Sequence, residues 1–426
     1  MKDALLNFFD NKNILILGFG REGKSLYDFL TQNQSTATVS VADKNQLEDI
    51  RQVSDTENLD QYDHIVKSPG YFLPEDFPEE AKAKITCLTD LFLQFCPAPV
   101  VGVTATKGKS TTSSLVEHIL KKEGKKVILL GNIGKACFGY VDEITTDTTV
   151  VFELSSQQLE YTKHSPHVAI IINIFTDHID YHGSVAEYAK AKKNIFKHQT
   201  KDDLLIYGQI FDEGRTTQAE LDTCPAKKID LENQTEIDLN SIETLLVGEH
   251  NKKDIIAAVL AAEFLGIDRQ KALEDAKDFN SLPHRLENVG TFHGITFYND
   301  SIATNQEAVI AGIKALPNLN TILVGGARKG FKYDQLVDFL VGSQVKNILL
   351  LPDTNTEIQE LFDQHQHDKN IVHIKDIEEG IKLAFELAPE GSAVSLEPAA
   401  ASFNQFKNFE ERGDVFRALV QQYGQA

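Results

Sequence analysis

The run 168-VAIIINIF-175 places apolar side chains at almost every consecutive position. Successive side chains of a strand point to opposite faces, so such a run leaves water only if both faces are covered, as in a parallel sheet flanked by helices. It is also far too short to span a bilayer. The same signature recurs along the chain. A run 13-NILILGFG-20 leads through a helix-like 21–33 to 38-TVSVAD-43, a strand, glycine loop, helix, strand unit. The runs 100-VVGVTA-105, 126-KVILLGN-132 and 149-TVVFELSS-156 precede 168–175, and 295-ITFYND-300, 321-TILVGG-326, 347-NILLLPD-353 and 393-AVSLEP-398 follow it. The alternation predicts three α/β blocks, 1–95, 96–281 and 282–426, with prolines at the seams in 96-CPAPV-100 and 282-LPHR-285. Between 200 and 245 the pattern is irregular, and 251-NKKDIIAAVLAAEFLG-266 reads as a helix with Asn near its start and Gly at its end.

A chain of 426 residues supports two to four domains, and 42% apolar with 25% charged residues is an ordinary globular balance. A net charge of -21 argues against nucleic acid or an anionic membrane as a broad partner, because no basic excess exists to neutralise phosphates. A phosphorylated small ligand stays compatible, since backbone N–H groups can hold it locally. Cys87, Cys96, Cys137 and Cys224 lack CxxC spacing, so free buried thiols are expected rather than disulfides or zinc. The N-terminus runs straight into a strand, unlike a cleaved signal. These features together predict a soluble, cytoplasmic protein, read as a monomer, with no membrane partner.

Open α/β sheets bind ligands beyond the C-terminal ends of their strands, so each block offers a cleft. In the first, Gly18, Gly20 and Gly23 form GxGxxG, with Asp43 at the end of the next strand. A nicotinamide cofactor and tight helix–strand packing explain those glycines about equally. In the second, 101-VGVTATKGKSTTSSL-115 ends in GK[ST] but has Val103 where a strict P-loop has glycine. Lys109 on a phosphate with Ser110 on Mg²⁺ competes there with a plain strand–helix turn. Glu153 at a strand end is a possible oxygen ligand for the same metal, though most such glutamates are merely solvated. For 176-TDHIDYH-182, metal binding, base chemistry and solvation all remain open. Lys192, within 190-KAKK-193, reads by itself as a surface lysine.

Taken in order, 68-SPG-70, 102-GVTATKGKSTT-112, 131-GNIG-134, 153-ELSSQQLE-160, 177-DHID-180, 188-YAKAKKNIF-196, 248-GEHN-251, 283-PHRLE-287, 299-NDSIATN-305 and 398-PAAASFNQFKNFEERG-413 resemble the Mur ligase family over the whole chain. The last segment and ELSSQQLE resemble its glutamate-adding members in particular. The resemblance implies a Rossmann-like N-terminal domain, a P-loop-type central ATPase domain and a Rossmann-like C-terminal domain. It implies ATP-dependent, Mg²⁺-assisted addition of glutamate, in its D form, to UDP-N-acetylmuramoyl-L-alanine through an acyl phosphate, a step of peptidoglycan precursor synthesis.

By the same resemblance, Gly18, Gly20, Gly23, Asp43, Ser68, Pro69 and Gly70 line the uridine nucleotide, and Asn132 and Gln158 reach the sugar and its peptide arm. Thr106, Lys107, Gly108, Lys109, Ser110 and Thr111 hold ATP, with Asn251 and Asp300 at adenine and ribose. Arg285 serves the transferred phosphate, and Ser110, Glu153, His178 and Lys192 surround metal, Lys192 as a carbamate made from CO₂. Lys109, His178, Lys192 and Arg285 are thus the implied catalytic group. Thr304, Lys329, Ser402 and Phe409 receive glutamate. Four positions depart from the family: Ala105 replaces a glycine, Lys107 and Asp254 replace asparagines, and Ile302 replaces a lysine. The rival readings are a relative using L-glutamate or another amino acid, a nicotinamide-dependent oxidoreductase, and an inactive nucleotide-binding scaffold.

Overall fold

The computed structural model describes the chain except Asp49, Gly134, Lys135, 212–215, Thr217, Glu236, 238–243, Val247, Lys329, Phe331, Ala426 and the side chains of Glu249 and His250. Two compact units form, one from Met1–Ile242 with Lys252–Lys277 and the other from Glu243–Asn251 with Asp278–Ala426.

The first unit holds two sheets. Strands β1 (Asn13–Leu17), β2 (Thr38–Ala42), β3 (His64–Lys67) and β4 (Ile85–Thr86) pair in the order β2-β1-β3-β4, all parallel. The second sheet comprises β5 (Val100–Thr104), β6 (Lys126–Gly131), β7 (Thr148–Glu153), β8 (Val168–Asn173), β9 (Leu204–Gln209) and β10 (Lys227–Asp230). Its order is β10-β9-β8-β5-β7-β6, again parallel throughout. The apolar runs explain the arrangement. Val101, Val103, Val150, Val151, Phe152, Ile170 and Ile171 are fully buried, and each such side chain is worth roughly 1.5–3 kcal/mol when taken from water. The helix Lys109–Lys122 buries Leu115, Val116, Ile119 and Leu120 on one face and packs on β5, β6 and β7.

The second unit is built on β11 (Glu287–Phe292), β12 (Ile295–Asn299), β13 (Leu319–Val324), β14 (Asn347–Leu350), β15 (Asn370–His373) and β16 (Ala393–Leu396). Their order is β11-β12-β16-β13-β14-β15, parallel except for the β11–β12 hairpin. In each sheet the chain reverses its direction of winding: about β1 in the first, about β5 in the second, and across β16 in the third. Crevices open at such reversals, and the loops that follow those strands carry most of the residues singled out from sequence.

The apolar runs named above all became strands, and the helix expected at 251–266 is Glu249–Phe264. The irregular reading of 200–245 needs correction, since β9 and β10 lie there. Strand β10 sits at the sheet edge with Lys227 and Lys228 exposed, so it carries no two-faced apolar signature. The four cysteines are free thiols. Among the described residues, no helix is long and apolar enough to cross a membrane.

Candidate functional site

The first cleft lies in the first unit. Gly18 and Gly20 after β1, Asp43 after β2, Ser68, Pro69 and Gly70 after β3, Asn132 after β6, and Gln158 line one cavity of about 670 Å³. Gly23 lies outside that lining and has a packing role. A Cβ there would stand 2.1 Å from the Gly18 carbonyl oxygen, so only glycine lets the helix Arg21–Gln32 approach the loop. The loops are cross-braced, with Ser68 Oγ donating to Gly18 O at 2.6 Å. Asp43 is committed likewise: Oδ2 accepts from Phe19 N at 2.6 Å, and Oδ1 from Asn45 N and Nδ2 at 2.8 and 3.0 Å. Burial pushes its carboxyl up, but those donors and Lys44 outweigh it and hold it below the usual range. Asn132 Nδ2 donates to Glu153 Oε1 at 3.0 Å, joining this cleft to the next.

The second cleft is the loop between β5 and the helix Lys109–Lys122. Gly108 has φ 96°, a left-handed conformation that suits glycine, and a Cβ on it would lie 2.7 Å from Asp254 Oδ1. Ala105 takes no positive φ and is fully buried, so the glycine it replaces is not needed for backbone freedom. Thr106 and Lys107 donate their N–H groups to Asn173 Oδ1, both at 3.0 Å, and Thr106 Oγ1 accepts from Phe175 N at 2.9 Å. Lys107 itself is exposed, while Ser110 and Thr111 are half-buried in the first turn of the helix.

Beneath this loop two lysines meet one carbonyl. Lys109 Nζ donates to Ala105 O at 2.8 Å and to Thr106 O at 3.2 Å; Lys192 Nζ donates to the same Ala105 O at 2.9 Å and to Thr104 Oγ1 at 3.2 Å. Lys192 is 1% exposed, which overturns its reading as a surface lysine: the helix Val185–Lys197 turns that face onto the core with Tyr188, Ile195 and Phe196. Burial first, and the Lys109 charge second, hold its amine well below the usual lysine range, against the pull of Asp177 and Glu153.

Glu153 is fully buried at the end of β7 and accepts from Asn132 and, at 3.4 Å, from Ser113 Oγ, with no salt bridge among the described residues. A buried carboxylate without a cation suits a divalent ion held by oxygen donors, and the Ser110 hydroxyl is a second such donor. Among the described residues no group of three or more His, Cys, Asp and Glu could hold a metal ion. His178 is exposed, with φ 50° and its ring centroid 6.1 Å from that of Tyr188.

Asp254, 2% exposed, braces the loop from behind by accepting from Thr112 Oγ1 at 3.0 Å. Burial, opposed by that bond, pushes its carboxyl up to about 8. The unfolded chain releases this proton near 3.8, so stability falls as pH rises from there through about 8. An Asp254→Asn substitution removes the titration. Its unfolding free energy, from denaturant titration at each pH, is expected to match wild type near pH 4 and to exceed it increasingly toward pH 8, by up to about 1.4 kcal/mol per pH unit.

The remaining assigned residues belong to the second unit. Arg285 is exposed, and Asp300, 7% exposed, accepts from Leu286 N at 3.1 Å. Asp300 and the fully buried Glu397 converge on Gly312, whose Cβ would lie 3.2 Å from Asp300 Oδ2 and 2.8 Å from Glu397 Oε1. Burial raises both carboxyls, and the nearby Asp300 charge raises Glu397 further. Asn251 and Ser402 are buried and Thr304 is half-buried; Phe409 packs edge-on to His284 at 6.1 Å. Ile302 is half-buried and donates its N–H to His284 O at 3.2 Å. Lys329 lies outside the described residues.

Sequence reasoning missed Asn173, Glu22, Glu397 and Arg412. Asn173 had a signal, being polar inside the run VAIIINIF. Arg412 had none, because 409-FEERG-413 reads as a solvated helix start. It is 1% exposed and donates to Ser301 Oγ, Ser301 O, Ala400 O and Ala401 O at 3.0, 2.8, 3.1 and 3.2 Å, tying the loop after β12 to the loop after β16. Burial pulls its guanidinium down to about 10. Arg412→Leu strands these acceptors and is expected to lower unfolding stability by about 3 kcal/mol, measured by denaturant titration.

Comparison with known proteins decides among the sequence readings. The profile of the Mur ligase middle domain matches residues 103–262, and that of the Mur ligase glutamate ligase domain matches 284–400. The UDP-N-acetylmuramoylalanine–D-glutamate ligase of Clostridium tetani is 32% identical over 97% of both chains, and that of Clostridium kluyveri 33% over 98% of both. The chain belongs to the Mur ligase family. Its fold is shared by the UDP-N-acetylmuramate–alanine ligase of Thermotoga maritima, with a TM-score of 0.59 at 18% identity over 97% of this chain and 100% of that one. It is shared also by Escherichia coli FolC in complex with DHPP and ADP, with a TM-score of 0.55 at 18% identity over 79% of this chain and 92% of that one. Mur ligases are ATP-dependent acid–amino-acid ligases, so this chain is an enzyme of that class rather than an oxidoreductase.

Proposed function

We propose that the enzyme joins D-glutamate to UDP-N-acetylmuramoyl-L-alanine with ATP. A terminal carboxylate oxygen attacks the γ-phosphorus, and ADP departs with the electrons of the broken P–O bond. The glutamate nitrogen then attacks the acyl phosphate, loses a proton and expels phosphate. The observation that carries the reading is the likeness to D-glutamate ligases at 32–33% identity over nearly the full length. The proposed division of labour is 1–95 for the uridine nucleotide, 96–281 for ATP and 282–426 for the amino acid.

In this reading the cavity lined by Gly18, Asp43, Ser68 and Gly70 holds the nucleotide, with Asn132 and Gln158 toward the sugar arm. Thr106 to Thr111 cradle phosphates through loop N–H groups, and Lys109 offers its ammonium. Glu153 and Ser110 hold Mg²⁺, which when bound offsets phosphate charge; His178 is assigned beside it. Lys192 is assigned a carbamate. Its neutral nitrogen attacks the carbon of CO₂, an N–C bond forms and a proton leaves, converting an amine beside Lys109 into an anionic oxygen donor. In the second unit, Arg285 is assigned to the phosphate, Asn251 and Asp300 to adenosine, and Thr304, Lys329, Ser402 and Phe409 to glutamate.

The test is phosphate release by purified protein with UDP-N-acetylmuramoyl-L-alanine, ATP and Mg²⁺ across a panel of amino acids. Release with D-glutamate is expected. Release only with L-glutamate or another amino acid would move the enzyme to a sister specificity, and none at all would sink the proposal.

A further inference from the structure

The turn that carries His178 cannot hold itself in place. Its helix, Ile179–His182, has four residues, none of them buried, and His178 at its start makes no side-chain cap bond. Helical segments this short are unstable alone in water, so contacts reaching out of the turn must fix it. His178 adds to that demand with φ 50°, a left-handed conformation that a residue with a Cβ keeps only where its surroundings enforce it.

Tyr181 supplies the anchor. Its Oη accepts from Lys67 Nζ at 2.6 Å and donates to Glu160 Oε2 at 2.9 Å, and Lys67 Nζ reaches the same Glu160 oxygen at 3.2 Å. The three groups close a ring of bonds. Lys67 ends β3, is 3% exposed, and holds its ammonium 5.3 and 5.4 Å from the ring centroids of Tyr161 and Tyr181. Displacing Tyr181 takes a partner from a buried charge, so the arrangement resists movement.

The anchor passes to His178 through one turn of backbone. The His178 carbonyl oxygen accepts from Tyr181 N at 3.2 Å and from His182 N at 3.0 Å. The Tyr181 ring packs 4.7 Å from that of His182, whose Nε2 lies 3.0 Å from Ser156 Oγ. On its other side the ring stands 4.9 Å from Phe72, an exposed residue that lines the cavity of the first cleft. Tyr181 thus stands between that cleft and His178, and no assignment above uses it.

We infer that Tyr181 is a positioning residue for the ligation: held by Lys67 and Glu160, its hydroxyl fixes the turn that aims His178 at the reactants. The inference rests on the role proposed for His178. Tyr181 touches no reacting atom in this account. It acts only through the backbone of the turn, which is why its loss and the loss of His178 should not add.

Tyr181→Phe keeps the ring against Phe72 and His182 and deletes the hydroxyl; Lys67→Met, which removes the buried charge together with its bonds, is the second variant. Each is measured for phosphate release at saturating substrates, alone and combined with His178→Ala, beside calorimetric affinity for UDP-N-acetylmuramoyl-L-alanine. Both are expected to lower kcat about 10–100-fold, the cost of a small misplacement, with affinity for the nucleotide substrate within about twofold of wild type. Neither should lower kcat further once His178 is absent. Without substrates, the His178 imidazole resonance, identified by its loss in His178→Ala, is expected to shift in both variants. Wild-type kcat in both variants, the same factor lost with and without His178, or an unmoved His178 resonance overturns the inference. A His178→Ala enzyme as active as wild type overturns the assignment of His178 and this inference with it.

Discussion

Replacing Lys192 by glutamine is expected to lower kcat by about 10³-fold or more, the scale on which preorganised charge contributes to catalysis. Nitrogen groups of two lysines share the Ala105 carbonyl, which is a poor arrangement for two ammonium ions. Their mutual repulsion, added to burial, is relieved when Lys192 loses its proton. A neutral buried amine is also the form that reacts with CO₂. Once carbamylated, the residue would attract Lys109 and a divalent cation instead of repelling them. Two measurements isolate the carbamate from a packing effect. Wild type in ¹³C-bicarbonate should show a carbamate carbon resonance that Lys192→Gln lacks, and its activity should fall in CO₂-depleted buffer and return with bicarbonate. Activity indifferent to CO₂, with no resonance, would eliminate the modification.

Replacing Lys109 by alanine is expected to lower kcat by about 10³-fold, comparable with loss of a cation that stabilises a phosphoryl-transfer transition state. Its ammonium now folds back onto the Ala105 and Thr106 carbonyls of its own loop. Reaching a phosphate means exchanging those contacts for an anion, and alanine cannot do so. Affinity for UDP-N-acetylmuramoyl-L-alanine should change little, because Lys109 is not among the residues lining the nucleotide cavity of the first cleft. Arginine should not restore activity, since a planar fork does not replace a compact ammonium. Retention of more than about a tenth of the wild-type kcat would contradict the role, as an effect that small needs under about 1.4 kcal/mol.

Much of the architecture was legible in the chain. Apolar runs at strand length, separated by glycine loops and helical periods, leave few arrangements that cover both strand faces, and parallel sheets followed. That Gly18 and Ser68 share one cavity was also foreseeable, because loops after the adjacent parallel strands β1 and β3 must emerge on the same side, whereas Asn132 and Gln158 follow strands of the second sheet and only the resemblance pointed to them. Edge strand β10 was not legible, since half-exposed strands dilute the apolar signal.

Local sequence determines backbone preference and which faces are apolar, and through these the strands, helices and phosphate-type loop of this protein. Which polar groups lose water was decided only by tertiary structure. Gln158 meets Glu22 across 136 residues, Asp254 meets Thr112 across 142, and Arg412 meets Ser301 across 111. Lys192 and Arg412 look like surface cations in the sequence, yet both are 1% exposed. The charge state of such groups follows from desolvation and from partners distant along the chain, and neither exists until the sheets have assembled.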